Sequence, residues 1–528
     1  LTALVPLTIS AATLLSLRPT LLFRTAIPAF TDLTGHVFAP HFLATVLLPN
    51  LSFRGWSMDW FTGFPIYYFY PPLPGVFSAL IGLVFGESLA VRISMVLSLL
   101  ALPWALFAFA RWSRLTTEGT IGAVLGGSGL LLMSSYWALG GNILSAITGE
   151  FYYAWSLVFA VLYLGLIVRA EGASFGGKLA GLVLAAAILS HVLPALAACM
   201  GLVPFLFFRP LRGAILESWL TAALLTAFWT LPLFVRLDQI GDIGWSYVPG
   251  VKDILPMEIV LLLPIAVVGA VTHRRSLGLA VLLSTGVVGV AVTMVPQSLV
   301  MRGRLLPMWF MAIHVLAGLG VAWAWGAVRS RRWITGLAVM SLAAGGIAVV
   351  TALRGMAPWR EGSRMIFEGL TDTEGYGEFD ELVKRLRELP PGRIHWEPGD
   401  LSRWGNEDAF TLLPMWTHHT TLSGFLRESS GLTPFITQLN AELGQHEVSP
   451  PYSLERPTAA WDPRAALLKL RMLGVRYQIT HSEDTRDVLE GVLPKPPDQF
   501  GALRLFDLGA APLVTPLDCS DVKAGHVG

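Results

Sequence analysis

Cysteine is nearly absent: the 528 residues hold two, Cys199 in an apolar stretch and Cys519 near the C-terminus. Two thiols in such different settings exclude a disulfide framework and a thiolate metal site. Charge is scarce too, at 14% of residues, and a net charge of +1 leaves no surplus of lysine and arginine to displace counterions from phosphates. A nucleic-acid partner is thereby excluded. There is no internal repeat and no low-complexity segment. What fills the chain is apolar. Hydrophobic residues make up 54% and the mean hydropathy is +0.60, far from soluble-domain values, which implies a polytopic membrane protein.

Crossing roughly 30 Å of hydrocarbon takes about 20 residues, and about eleven spans can be placed on that criterion. They fall at 2–17, 91–110, 121–138, 151–168, 179–193, 195–208, 220–234, 255–271, 277–295, 305–327 and 333–353. Cationic residues occupy alternate short loops: Arg111 and Arg114, Arg169 and Lys178, Arg209 and Arg212, Arg274 and Arg275, then Arg329, Arg331 and Arg332. Such loops face the cytoplasm. A large loop at 24–90, the Gly-Gly-Asn segment at Asn142, the stretch around Trp245 and everything after 353 then lie on the other side of the plasma membrane. Segment 71–85 would break the alternation as a crossing and is expected to be a half-buried juxtamembrane helix. The chain starts at Leu1, so a trimmed N-terminus is expected, with the first span as insertion signal.

Beyond 353 hydropathy falls, and roughly two-thirds of all Asp and Glu lie there. Phe379, Leu382, Val383, Leu386 and Leu389 recur at helical spacing, Pro390-Pro391-Gly392 stops that helix, and Arg393 to Trp396 starts a strand. Leu467 to Leu473 repeats the pattern, with Gly474 as stop and Val475 to Thr480 as strand. The reading is a transmembrane module, 1–353, and a soluble extracytoplasmic α/β domain, 354–528, long enough for its own core.

Chemistry is expected in the first external loop, where Asp32, His36, His41 and Asp59 stand among many aromatics. Ionisable groups beside lipid are costly, and an aromatic-rich loop over a membrane face can form a partly dry cleft for a lipid-linked or sugar substrate.

Several segments carry a resemblance over most of the chain: TDLTGHVFAPHFL, GWSMDWFTGFPIYYFYPPLP, GGNILSAITGEF, LSHVLPA, RGRLLPMW, LLPMWTHHTTLSGFLRESSGLTPF and LRMLGVRYQIT. With these it resembles the membrane proteins labelled 6-pyruvoyl-tetrahydropterin synthase-related, which look like members of the GT-C glycosyltransferase superfamily. Nothing in the chain resembles the soluble pterin enzyme. The resemblance implies a mainly α, GT-C-like helical bundle. It also implies a sugar donor carried on a polyprenyl phosphate, an extracytoplasmic glycan, lipid or protein acceptor, and a carboxylate base in the first external loop. Asp32 matches that position.

A base is needed because an acceptor hydroxyl is a poor nucleophile until its proton is taken. Partial burial against Phe30, Phe38 and Trp56 is expected to raise the Asp32 pKa. The competing reading makes Asp32 a helix N-cap. His36, one turn on, is expected to orient Asp32 or the acceptor; together they could instead hold a divalent ion, although no third ligand is evident. Asp59 is either a sugar ligand, with Trp56 or Trp60 stacked on a pyranose, or a turn residue among interfacial aromatics. Glu150 either contacts substrate or meets a helix dipole. His191, alone in an apolar helix before Pro194, either serves the site or packs. Arg302 and Arg304 lie externally; Arg304 is the candidate for the donor phosphate, against a snorkelling arginine. In the tail, Trp416, His418, His419, Arg427 and Glu428 are candidates for acceptor recognition, or an ordinary surface. Two other functions stay open: a non-catalytic GT-C scaffold subunit of a membrane complex, and a lipid or glycan transporter.

Overall fold

Inside hydrocarbon only a helix closes its own backbone hydrogen bonds, and the apolar runs become helices accordingly. The computed structural model describes residues 2–135, 139–171, 176–240, 250–295, 301–328, 341, 344–346, 357–444 and 459–510. The chain divides into two compact units, Leu1–Trp56 with Pro65–Thr373, and Ser57–Phe64 with Glu374–Gly528.

The first unit is helical. Its main helices are Leu4–Ser16, Leu73–Phe85, Glu87–Trp112, Thr117–Ser128, Phe151–Arg169, Gly176–Ser190, Val192–Leu202, Arg209–Val235, Met257–Thr272, Leu277–Thr293 and Leu306–Val328. Among the described residues four helical stretches are long and apolar enough to cross a membrane, Glu87–Trp112, Ile143–Arg169, Arg209–Val235 and Gly303–Ala327, and the other apolar helices run 10–17 residues. The expected span at 333–353 lies almost wholly outside the described residues, as do the stretch around Trp245, Arg329, Arg331, Arg332 and Cys519.

Local chemistry sets where these helices begin. Thr116 accepts the Gly119 amide and caps Thr117–Ser128, and Asn142 and Ser145 form a capping box ahead of the Phe151–Arg169 helix. Without side chains in the way, Thr117–Ser128 approaches Leu306–Val328 backbone to backbone: a Cβ on Gly122 would sit 2.5 Å from the Gly318 carbonyl oxygen. The helix Leu73–Phe85 buries Pro74, Gly75, Ser78 and Ala79 and exposes Leu80, Leu83, Val84 and Phe85.

Arg92 is a charge deep in the first unit. Arg92, fully buried within Glu87–Trp112, donates to the carbonyls of Leu21 at 3.0 Å and Phe367 at 3.1 Å, and to that of Ala26. Ser88 donates to the same Ala26 oxygen at 2.7 Å, and the Leu370 amide donates to the Ile27 carbonyl at 2.8 Å. The backbone leading toward Asp32 is thereby fastened to this helix and to the segment after Ala357–Glu368.

Short strands β1 (Gly55–Ser57) and β2 (Phe64–Ile66) flank the excursion that belongs to the second unit. That unit holds β3 (Arg393–Trp396), β4 (Thr420–Thr421), β5 (Val475–Thr480), β6 (Asp498–Phe500) and β7 (Leu503–Asp507), in the order β4-β3-β5-β7-β6. β3 runs parallel to β4 and β5, with His395 opposite Gln478; β5 and β7, and β7 and β6, are antiparallel. Helices Tyr376–Glu388, Thr433–Leu443, Pro463–Met472 and Glu483–Val492 complete it. The helix expected from Phe379 to Leu389 and the strand after it stand where the periodicity put them. So do the helix ending before Gly474, whose φ is 71°, and the strand Val475–Thr480. Both faces of the central strands are covered, so the polar residues must pair internally: His395 bonds Gln478 and Asn440, each at 2.9 Å.

Candidate functional site

Four separated stretches of the first unit meet at one place. Phe30 takes a left-handed backbone, φ 67°, and turns the chain outward at Thr31 and Asp32. The Thr31 hydroxyl donates to the Ile147 carbonyl at 3.4 Å. Gly149, φ 125°, interrupts the turn Ala146–Glu150, and a Cβ there would lie 2.6 Å from the Asp32 Cβ. Asp32 therefore packs directly over the residue before Glu150, a closeness only glycine allows.

Glu150 stands at the N-cap of Phe151–Arg169, yet its side chain makes no cap bond and pairs with the Arg304 guanidinium. Both side chains are less than one-fifth exposed. Arg304 comes from the short turn Arg302–Leu305, and its carbonyl accepts the Tyr153 hydroxyl at 2.6 Å. His191 breaks the chain between Gly176–Ser190 and Val192–Leu202. Its Nδ1 accepts the Leu193 amide at 3.2 Å, and its Nε2 lies 3.4 Å from Arg304 Nη1. A guanidinium only donates, so Arg304 Nη1 is the donor in the contact with His191 Nε2, and together with Glu150 it fixes where the Arg304 cation stands. A cation held in this way is suited to an anionic oxygen.

Two expectations for the loop are corrected. Asp32 is exposed, not buried against Phe30, Phe38 and Trp56, because the turn at Phe30 swings it outward. Thr34, not Asp32, stands at the N-cap of Gly35–Val37. His36 is buried at 3% exposure, with its ring 5.0 Å from Tyr152, 5.1 Å from Phe151 and 5.8 Å from Tyr70. Burial lowers its pKa to about 3, against a smaller opposing effect of the Gly149 backbone. The ring thus supports the turn beneath Asp32 and stands in a different environment from the carboxylate. Among the described residues no group of three or more His, Cys, Asp or Glu could hold a metal ion, so the Asp32 and His36 pair gains no third ligand there.

Of the remaining candidates, Asp59, Trp60, Trp416 and Glu428 belong to the second unit. Trp56, on β1, is 62% exposed. Asp59 accepts the Ser57 hydroxyl at 2.6 Å, while its own carbonyl accepts the Thr421 amide at 2.7 Å, the geometry of a turn residue. Trp60 is fully buried in the second unit, its indole N–H donating to the Thr411 carbonyl at 2.9 Å, which leaves no face for a sugar. Trp416 meets Phe379 edge-on at 5.9 Å, and Glu428 lies half-buried in the turn Arg427–Ser429. The His419 ring is engaged by Leu386 and Gly392 backbone. The Arg302 side chain lies outside the described residues.

Sequence reasoning missed Gly149, Tyr153 and Arg92. A charge within an apolar span was the available signal for Arg92. A cavity of about 640 Å³ lies elsewhere in the first unit, among Leu125, Leu262, Val321, Trp325, Glu258 and His314, and no candidate residue lines it.

No family model matches the chain, and no curated protein does. Solved structures do. Arabinofuranosyltransferase AftD from Mycobacteria is similar with a TM-score of 0.63 and 15% identity, over 96% of this chain and 40% of that one. The chain thus spans about two-fifths of AftD's length. ArnT from Cupriavidus metallidurans, solved with undecaprenyl phosphate, is similar with a TM-score of 0.55 and 14% identity, over 97% of this chain and 99% of that one. The Archaeoglobus fulgidus oligosaccharyltransferase, solved with a tethered acceptor peptide, gives 0.53 and 11%, over 90% and 68%. At such identities the likeness speaks for architecture alone: the chain shares the fold of these structures.

Proposed function

We propose that the protein is an integral membrane glycosyltransferase that moves a sugar from a polyprenyl-phosphate donor to an extracytoplasmic acceptor, an envelope glycan, glycolipid or protein. Asp32 acts as general base: it takes the proton of the acceptor hydroxyl as that oxygen attacks the anomeric carbon. The bond from that carbon to the phosphate oxygen breaks, its electron pair leaves with the lipid phosphate, and one displacement inverts the centre. Arg304, with His191 beside it, receives the phosphate charge; Glu150 fixes the guanidinium, and His36 is a positioning residue under Gly149.

The observation that carries this reading is the meeting of the Asp32 turn with the Glu150, Arg304 and His191 group, since a base and an anion-stabilising cation are what the displacement needs. The ligands of ArnT and of the Archaeoglobus enzyme AglB, undecaprenyl phosphate and dolichol-phosphate, are of the class proposed for the donor. The alternation of cationic loops supports a multi-pass plasma-membrane protein of about eleven spans, with an extracytoplasmic α/β domain at the C-terminus.

The test is sugar transfer by purified protein supplied with polyprenyl-phosphate sugar donors. Asp32→Asn, expressed normally, is expected to lose about 10²- to 10⁴-fold in rate. An unchanged rate, or an unchanged glycan profile in cells, would exclude Asp32 as base and favour a scaffold subunit.

A further inference from the structure

Within Arg209–Val235, Pro232 lacks the amide that would bond the Phe228 carbonyl one turn back. Arg54 takes that carbonyl, its Nη1 donating at 2.6 Å. One residue on, the Trp229 indole N–H donates to the Tyr67 carbonyl at 3.0 Å. The segments carrying Arg54 and Tyr68 are thereby stitched to the end of this helix, and Arg236, its C-cap residue, arrives beside them. Both guanidinium carbons stand over the Tyr68 ring, that of Arg54 at 5.0 Å and that of Arg236 at 5.7 Å from its centre.

Each arginine has one structural task. Arg54 satisfies an orphan carbonyl, and Arg236 meets the negative end of the helix dipole. Neither task explains why two permanent cations share one phenol ring. Among the described residues neither is in an ion pair, and each keeps unused N–H donors. Next to them the surface is apolar and open: Phe53, Leu231, Phe234 and Val235 are 47%, 62%, 63% and 78% exposed, and the Phe53 and Phe228 rings lie 6.2 Å apart. Paired cations above an uncovered apolar face match a ligand with a phosphate at one end and hydrocarbon at the other.

We propose that Arg54 and Arg236, beside Tyr68, bind the phosphate of an anionic membrane lipid whose chains lie on Phe53, Phe228, Leu231, Phe234 and Val235. The site shares no residue with the Asp32 and Arg304 group and does not rest on the function assigned to it.

The test uses the full chain in nanodiscs of phosphatidylcholine with a minor fraction of phosphatidylglycerol, followed by native mass spectrometry of retained lipid. Phosphatidylglycerol is expected to be retained over phosphatidylcholine, whose ammonium group the arginines repel. Retention is expected to fall about fivefold for each arginine removed, in Arg236→Gln and in Arg54→Gln with Arg236→Gln. Arg236→Lys is expected to keep most of it, and Arg236→Gln to melt as the parent does in pure phosphatidylcholine. Because Arg236 is at an exposed helix end, that variant alone keeps the test valid if Arg54→Gln misfolds. Equal retention of the two lipids, or undiminished retention by Arg236→Gln, overturns the proposal. So does displacement of phosphatidylglycerol by inorganic phosphate alone, which would make this a site for free anions.

Discussion

Glu150 and Arg304 illustrate how much depends on single side chains. They are separated by 154 residues in sequence and pair in a half-dry environment. Replacing one partner leaves the other desolvated and uncompensated, which costs more than the pair contributes. Glu150→Gln is therefore expected to destabilise by about 1–3 kcal/mol, read as a lowered melting temperature in detergent. Adding Arg304→Met should recover part of that loss; simple additivity of the two changes would show that they are not coupled. His36 gives a pH dependence. Folded, its ring stays neutral down to about pH 3, whereas the unfolded ring takes a proton near its ordinary value of 6.5. Between those values the unfolded state holds more protons, so stability is complete above about pH 6.5 and falls as the pH drops toward 3. His395 in the second unit, its pKa lowered by burial, acts in the same direction. Melting temperatures are expected to fall between pH 7 and 4, less steeply in His36→Phe, and an identical slope in that variant would remove His36 from the account.

At the scale of elements, the turn Ala146–Glu150 decides where the Phe151–Arg169 helix begins and what stands over it. Gly149 is needed twice, for its positive φ and for the contact with Asp32. Gly149→Ala is expected to cost about 1–3 kcal/mol in strain and to lower sugar transfer more than it lowers expression. Wild-type activity in that variant would mean that the Asp32 turn tolerates displacement. Much at this level was legible in the chain. The helix Tyr376–Glu388 and the strands Arg393–Trp396 and Val475–Thr480 follow from periodicity and from Pro390-Pro391-Gly392 and Gly474, because those signals act over a few residues. The exposure of Asp32 was not legible, since it follows from a left-handed residue at Phe30 that no glycine announces.

For the whole molecule, the excursion Ser57–Phe64 changes what the first external loop means. Read as sequence, Trp60 is an interfacial aromatic available to a sugar; in the fold it is core of the second unit, 351 residues from the carbonyl it bonds. Trp60→Ala is expected to destabilise by about 3–5 kcal/mol through the cavity it leaves. Chemical denaturation would register this, and a substrate-affinity defect without any loss of stability would contradict the core assignment. What the sequence by itself determined was class and local form: a membrane chain of apolar helices with a charged tail that carries strands. Hydropathy and periodicity are properties of neighbours along the chain and add up over a window. What only tertiary structure decided was the company each polar residue keeps, Arg304 with Glu150 and His191, Arg92 with three backbone carbonyls, Arg54 and Arg236 on one tyrosine. Those meetings depend on how helices pack and where loops cross, and an orphan carbonyl or a buried charge settles on its partner only once the packing has brought one within reach.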